Sequence, residues 1–214
     1  MTGLAQAIPA VDLARREPAW LLAGVSLALL ASGIAPEADR LTWFLETFPV
    51  MIGAPVLLAT HRGFPLTPLA YRLLALHALV LIVGGYYSYA ENPLFNWLRD
   101  VLLLDRNYYD RVGHVFQGFV PAILAREVLL RRSPLPRGKW LFFLVCCICL
   151  ALSAGYELLE WWVAVASGEA AVAFLATQGD VWDTQWDMFL ALLGALAAQL
   201  SLTRIHDRQL LRLG

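Results

Sequence analysis

The chain has 214 residues, 59% of them hydrophobic and 15% charged, with a mean hydropathy of +0.61. A soluble domain carries about 25% charged residues, and a core built from 214 residues is too small to bury this much apolar surface, so a water-soluble domain is excluded. The net charge of −1 and the lack of any basic stripe exclude nucleic acid as a partner.

A helix crosses about 30 Å of hydrocarbon with about 20 apolar residues. Six stretches fit that length: 20–35, 41–60, 66–90, 114–130, 140–166 and 187–204. The expected fold is therefore all-α, a polytopic membrane protein forming one integral membrane domain over 1–214. The first stretch is short, and the fourth is interrupted by Gln117, Pro121 and Arg126. Residues 1–18 do not read as a cleaved signal, because Arg15, Arg16 and Glu17 directly precede the first apolar run. Between the third and fourth stretches, 94–105 interleaves Leu94, Phe95, Trp97, Leu98, Val101 and Leu102 with Asn96, Arg99 and Asp100, the pattern of a helix lying in the membrane interface. Cys146, Cys147 and Cys149 sit inside the fifth stretch, where thiols without oxygen or nitrogen co-ligands act as small hydrophobes. Gly84-Gly85, and Gly194-Ala195 with Ala191 and Ala198, mark seams for close helix packing.

Lys and Arg are retained on the cytoplasmic side of a membrane. With the N-terminus inside, twelve of the 16 basic residues fall in cytoplasmic segments, and only Arg40, Arg99, Arg106 and Arg111 lie outside. Both termini are then cytoplasmic. The acidic stretch Thr177–Met188 faces outward, level with Trp161, Trp162, Trp182, Trp186 and the Tyr86, Tyr87, Tyr89 cluster.

Ionisable groups inside spans are costly and mark functional candidates. Asp110, His114 and Gln117 recur at i, i+4 and i+7; Glu157 and Glu160 at i, i+3; Asp183 and Asp187 at i, i+4; each set shares one helix face. In the expected topology all three faces open at the outer end. Glu46 lies at that level too, and Asp180 and Gln185 flank Asp183. So many facing carboxylates cannot all be ionised in a low dielectric unless a positive charge sits among them. A divalent ion (Mg²⁺, Mn²⁺, Ca²⁺ or Zn²⁺) would suit oxygen ligands with one imidazole; alternatively, some acids hold protons and form a relay. In a third reading Arg106 and Arg111 pair with the acids as a clamp on the helix ends. His77 lies mid-span among Leu and Ala, and His61 and His206 read as cytoplasmic loop residues.

The segments Arg106-Asn107-Tyr108-Tyr109-Asp110-Arg111-Val112-Gly113-His114, Tyr156-Glu157-Leu158-Leu159-Glu160-Trp161-Trp162 and Thr177–Met188 resemble the YjdF-like bacterial inner-membrane proteins. The resemblance runs from about Trp43 to the last span and implies an inner-membrane helical fold without specifying a reaction. The family pattern places His where this chain has Tyr86, which leaves His114 as the main imidazole. A more distant similarity to VanZ-type proteins implies envelope or lipid-linked biology. The expected function is an outer-face acidic/His site, with Asp110, His114, Glu157, Glu160, Asp183 and Asp187 as ligands for a divalent cation. Glu46, His77, Arg106, Arg111, Gln117, Asp180 and Gln185 are the supporting residues, and a lipid-like or envelope substrate is the partner beside the bilayer. A proton- or cation-coupled transporter and a non-catalytic assembly protein are the alternatives. Oligomeric state is not encoded in any of these features.

Overall fold

The structure, a computed structural model, describes residues 10–167 and 172–213. Helices follow in the order α1 (Ala10–Ile34), α2 (Arg40–Thr60), α3 (Pro68–Tyr87), α4 (Pro93–Leu102), α5 (Tyr109–Arg132), α6 (Lys139–Ser167), α7 (Val172–Leu175) and α8 (Asp183–Leu210), with no strand among the described residues. Local chemistry sets the breaks. Asp39 caps α2, accepting from the N–H groups of Leu41 and Thr42 at 2.9 and 3.0 Å. Thr67 and Asn92 cap α3 and α4, each followed by a proline where the helix has no use for an N–H.

Among the described residues, five helices are long and apolar enough to cross a membrane: residues 16–34 of α1, and α2, α3, α6 and α8. Helix α5, 24 residues long, carries Asp110, Arg111, Arg126, Glu127, Arg131 and Arg132 and is not among the five. The first four of these charges are buried against neighbouring helices. Both α5 and α8 run past the apolar stretches that announce them, because their charged end turns pair with other helices.

Contacts at the helix ends fix directions. Glu17 near the start of α1 pairs with Arg72 near the start of α3 at 2.5 Å, and Trp43 of α2 donates its indole N–H to Ser32 near the end of α1 at 3.1 Å. Thr67 ahead of α3 meets Glu127 late in α5, and Gln199 late in α8 reaches the Phe142 carbonyl early in α6. Helices α1, α3 and α6 thus run one way and α2, α5 and α8 the other.

The centre of the bundle is the parallel pair α5 and α8. A Cβ on Gly118 would run into the Ala191 backbone, and one on Gly194 into the Val115 carbonyl. Ala191, Ala195 and Ala198 are fully buried along this line. The small residues let the two backbones touch, in the absence of any hydrophobic drive between helices in lipid. Beside it, the Tyr89 ring fills the space that glycine leaves at Gly84 and Gly113. Helix α4 buries none of its residues and exposes Leu94, Trp97, Val101 and Leu102.

One histidine differs from the sequence expectation, and another keeps to it. His206 lies inside α8, fully buried, not in a loop. His61 ends α2 with its Nδ1 2.6 Å from the Tyr71 hydroxyl. Hydropathy places the span ends too early because it does not register a charge that another helix neutralises. All three cysteines are free; Cys149 is buried, and the Cys146 sulfur accepts a bond from Gln199 at 3.3 Å.

Candidate metal centre

The polar site stands where α2, α5 and α8 begin and α6 ends. Close approach along the glycine-alanine seam brings the Asp110–His114 face of α5 against the Asp183–Asp187 face of α8. His114 Nε2 lies 3.3 Å from Asp110 Oδ1 and 3.6 Å from Asp187 Oδ1. One ligand-capable atom from each of Asp110, His114 and Asp187 lies within 4.8 Å of the others, and all three residues are buried. Gln117, one turn further on, accepts from His114 Nδ1 at 3.0 Å. That contact fixes the ring and turns Nε2 toward the two carboxylates, as outer partners do for metal-binding histidines.

Two arginines wall the site from the loop side. Arg111 donates to Asp187, to Asp183 at 2.7 Å and to Asp180 at 2.9 Å. Arg106 reaches Asp183 at 3.0 Å, Asp110 and Asp180 at 3.4 Å, and the Ala176 carbonyl at 3.3 Å. The loops that carry these groups are stitched together by Gln178, whose amide exchanges two 2.9 Å bonds with the Asn107 backbone. The Asn107 side chain, fully buried, donates to the Asn92 carbonyl at 3.0 Å and the Asn96 side chain at 2.8 Å, so α4 braces the same loop. Neither Asn107 nor Gln178 stands out in the sequence, although both lie inside the segments that carry the family resemblance. At the rim the Tyr108 hydroxyl donates to Asp105 at 2.8 Å, which lowers the carboxyl and raises the phenol from their ordinary ranges.

The third wall is α6. Glu157 is buried with one oxygen 4.0 Å from His114 Nδ1, and that oxygen has no hydrogen-bond partner. Nor do the neighbouring Tyr156 hydroxyl, the Ser153 hydroxyl one turn inward, or the Arg106 Nε. Tyr156 stacks on Phe48 of α2 with ring centroids 6.4 Å apart, in the turn next to buried Glu46. Glu160 is half-buried one turn beyond Glu157.

The structure therefore joins Asp110, His114 and Asp187 directly, with Glu157 at their edge and Asp183 and Asp180 held by the arginines. Glu46 and Glu160 lie outside the three-residue group, and Gln185 is exposed on α8. His77 stands apart, its ring 6.4 Å from that of Phe116, lining a cavity among α1, α2 and α3.

Comparison with known proteins agrees with this membrane architecture. Residues 18–208 match the family described as "Predicted membrane protein (DUF2238)". The chain is 53% identical over 190 residues to the inner membrane protein YjdF of Escherichia coli (strain K12), covering 89% of this chain and 90% of that protein. No solved structure matches the chain. With a family match over most of its length and a relative this close, the chain belongs to the DUF2238 family of multi-pass inner-membrane proteins.

Proposed function

We propose that Asp110, His114 and Asp187 bind a divalent cation at the outer face of the membrane, and that the bound ion serves a lipid-like or envelope substrate there. The observation that carries the reading is the buried triangle itself, with its imidazole oriented by Gln117. Charge supports it. Asp110, Asp180, Asp183 and Asp187 share two guanidinium groups, and Glu157 adds a carboxylate with an unpartnered oxygen. Buried acids in such excess call for a cation. Each carboxylate oxygen has two lone pairs, so the grip of Arg111 leaves Asp187 able to ligate. Two carboxylates and one imidazole suit Mg²⁺, Mn²⁺, Ca²⁺ or Zn²⁺.

Such an ion would act as a Lewis acid toward a phosphoryl or ester oxygen. The remaining tasks fall to the chain. Arg106 and Arg111 fix Asp183 and Asp180 in place, and Glu157 offers a proton acceptor beside His114. Exposed Trp161, Trp162, Trp182 and Trp186 set the site at headgroup level, where an amphiphile meets it from the side. The distribution of Lys and Arg supports the periplasmic orientation. Equilibrium dialysis with elemental analysis on purified protein tests the reading: wild type is expected to retain one ion per chain and the His114→Ala, Asp187→Ala double variant none. Equal retention by the two would overturn it.

A proton- or cation-coupled carrier is the second reading. The unpartnered hydroxyls of Tyr156 and Ser153 favour it, because they lead inward along α6 from Glu157. Flux into proteoliposomes that is unchanged by Ser153→Ala and Glu157→Gln would count against it.

A further inference from the structure

A second site stands at the other end of the α5–α8 pair from the acidic cluster, where both helices finish. A cavity of about 240 Å³ opens there, lined by Leu130 and Arg131 at the end of α5, Arg137 in the loop that follows, and Leu210, Leu211 and Leu213 at the end of α8. Its origin is in the sequence. Helix α5 stops at Arg132, and the turn Ser133-Pro134-Leu135-Pro136 brings Arg137 back to α8, where its Nε donates to Asp207 at 3.0 Å. Helix α8 runs beyond its apolar stretch and closes on three leucines around Arg212.

Basic side chains crowd this end. The guanidinium carbons of Arg131 and Arg132 lie 3.9 and 4.9 Å from the centre of the Phe64 ring, so two like charges are held on one aromatic residue. Glu127 pairs with Arg131 alone, and the Asp207 carboxylate is divided between Arg126 and Arg137. Among the described residues Arg132, Lys139, Arg204, Arg208 and Arg212 pair with no carboxylate. Arg131 bonds through Nη1 only and Arg137 through Nε only, which leaves both Nη groups of Arg137 and the Nη2 of Arg131 without an acceptor among the described residues. No Asp or Glu lines the cavity. Cations are in excess here as acids are at the other end.

These features select the ligand. Guanidinium groups with N–H donors to spare suit an anion with several oxygens, phosphate above all. A free anion has no use for leucines, yet four line the cavity, and Leu211 is 75% exposed. Depth agrees. By helical rise Leu210 stands about 35 Å from Asp187 at the start of the last apolar stretch, past about 30 Å of hydrocarbon and within the roughly 40–45 Å of a whole bilayer, which is headgroup level. Trp140 at the start of α6, exposed, anchors the same boundary. We propose that this cavity binds an anionic phospholipid, with its phosphodiester on Arg131 and Arg137 and an acyl chain along Leu130, Leu210 and Leu211. This is independent of the metal reading.

Native mass spectrometry of the purified full-length protein in detergent, titrated with phosphatidylglycerol, phosphatidylcholine or inorganic phosphate, tests it. One phosphatidylglycerol per chain is expected to bind roughly tenfold more tightly than phosphatidylcholine, and inorganic phosphate is expected not to displace it. Leu211→Glu sets a carboxylate beside the two arginines from an exposed position and is expected to abolish the preference. Arg137→Gln is expected to weaken phosphatidylglycerol binding roughly fivefold, the scale of one basic residue at a membrane surface. Arg62→Gln, an equal change of charge in the exposed turn after α2 and outside the cavity, is expected to leave binding as in wild type. Gel-filtration profile and thermal midpoint separate loss of the site from loss of the fold, and because Arg137 also holds Asp207, Leu211→Glu decides if Arg137→Gln is destabilised. Equal binding of the two lipids, a preference that survives Leu211→Glu in a folded protein, an equal loss in Arg62→Gln, or displacement by inorganic phosphate would overturn the assignment.

Discussion

The two ends of the α5–α8 pair carry charge in opposite ways. At the end where α5 and α8 finish, Glu127, fully buried, accepts from the Thr67 N–H at 3.0 Å, the Thr67 hydroxyl at 2.7 Å, Arg131 at 2.6 Å and His206 Nε2 at 3.0 Å. Arg126 donates to His206 Nδ1 at 2.9 Å and to Asp207 at 2.7 Å, and Arg137 closes the chain on Asp207 at 3.0 Å. Because arginine only donates, His206 must accept at Nδ1 and donate from Nε2, and the network has one consistent arrangement. At the end where they begin the acids outnumber the cations, and Glu157, Tyr156 and Arg106 keep polar atoms without partners. A network with every valence filled is a lock; one with valences left over is a candidate site. The buried charge is similar in kind, and its satisfaction makes the difference.

Substitutions at the two ends should therefore fail differently. The largest effect is expected at the lock: Glu127→Ala leaves Thr67, Arg131 and His206 without their common acceptor and should destabilise the fold by about 3–5 kcal/mol, read as a fall in the thermal midpoint and loss of the monodisperse gel-filtration peak. Gly118→Leu, which forces α5 off α8, should cost about 1–3 kcal/mol or more and weaken cation retention with it, because the seam holds both ends in register. Asp187→Asn should instead abolish cation retention and leave the midpoint near that of the chelated wild type. Chelation should likewise lower the wild-type midpoint and leave that of Asp187→Asn unchanged; an ion present at 100 times its Kd contributes about 2.7 kcal/mol.

The smallest effect concerns the cap of α2. Burial works to raise the Asp39 carboxyl, and the Thr42 hydroxyl with the N–H groups of Thr42 and Leu41 outweigh it, so the group titrates below its ordinary range. Its contribution is complete above the unfolded value of about 4 and is lost as pH falls through the folded one. Asp39→Ala should cost about 1 kcal/mol at neutral pH and progressively less in acid, as seen by comparing midpoints at several pH values.

Spacing made part of this contrast legible in the sequence. The i, i+4 pairs Asp110–His114 and Asp183–Asp187 announce shared faces, and Gly194 with Ala191 and Ala198 announces the seam that brings those faces together. Pairing of Arg106 and Arg111 with the acids is one reading of the sequence, but which acids each holds leaves no such mark. That Arg111 would hold Asp180, Asp183 and Asp187 together depends on how α5 meets α8, roughly seventy residues on, and no local pattern encodes it. The Glu127–His206 lock was hidden for a related reason: Glu127 lies near the end of the fourth apolar stretch and His206 just beyond the sixth, and hydropathy carries no sign that the two meet. Gly118 looks like any other glycine in an apolar helix until the Ala191 backbone is placed against it.

Cation ligation by His114 is the central claim, and pulsed electron paramagnetic resonance of Mn²⁺ added to the purified protein tests it most directly. Modulation from a directly bound imidazole nitrogen is expected in wild type and should vanish in His114→Ala while the Glu127–His206 network keeps the protein folded. Bound Mn²⁺ without nitrogen modulation in wild type, or with modulation that survives His114→Ala, would contradict it.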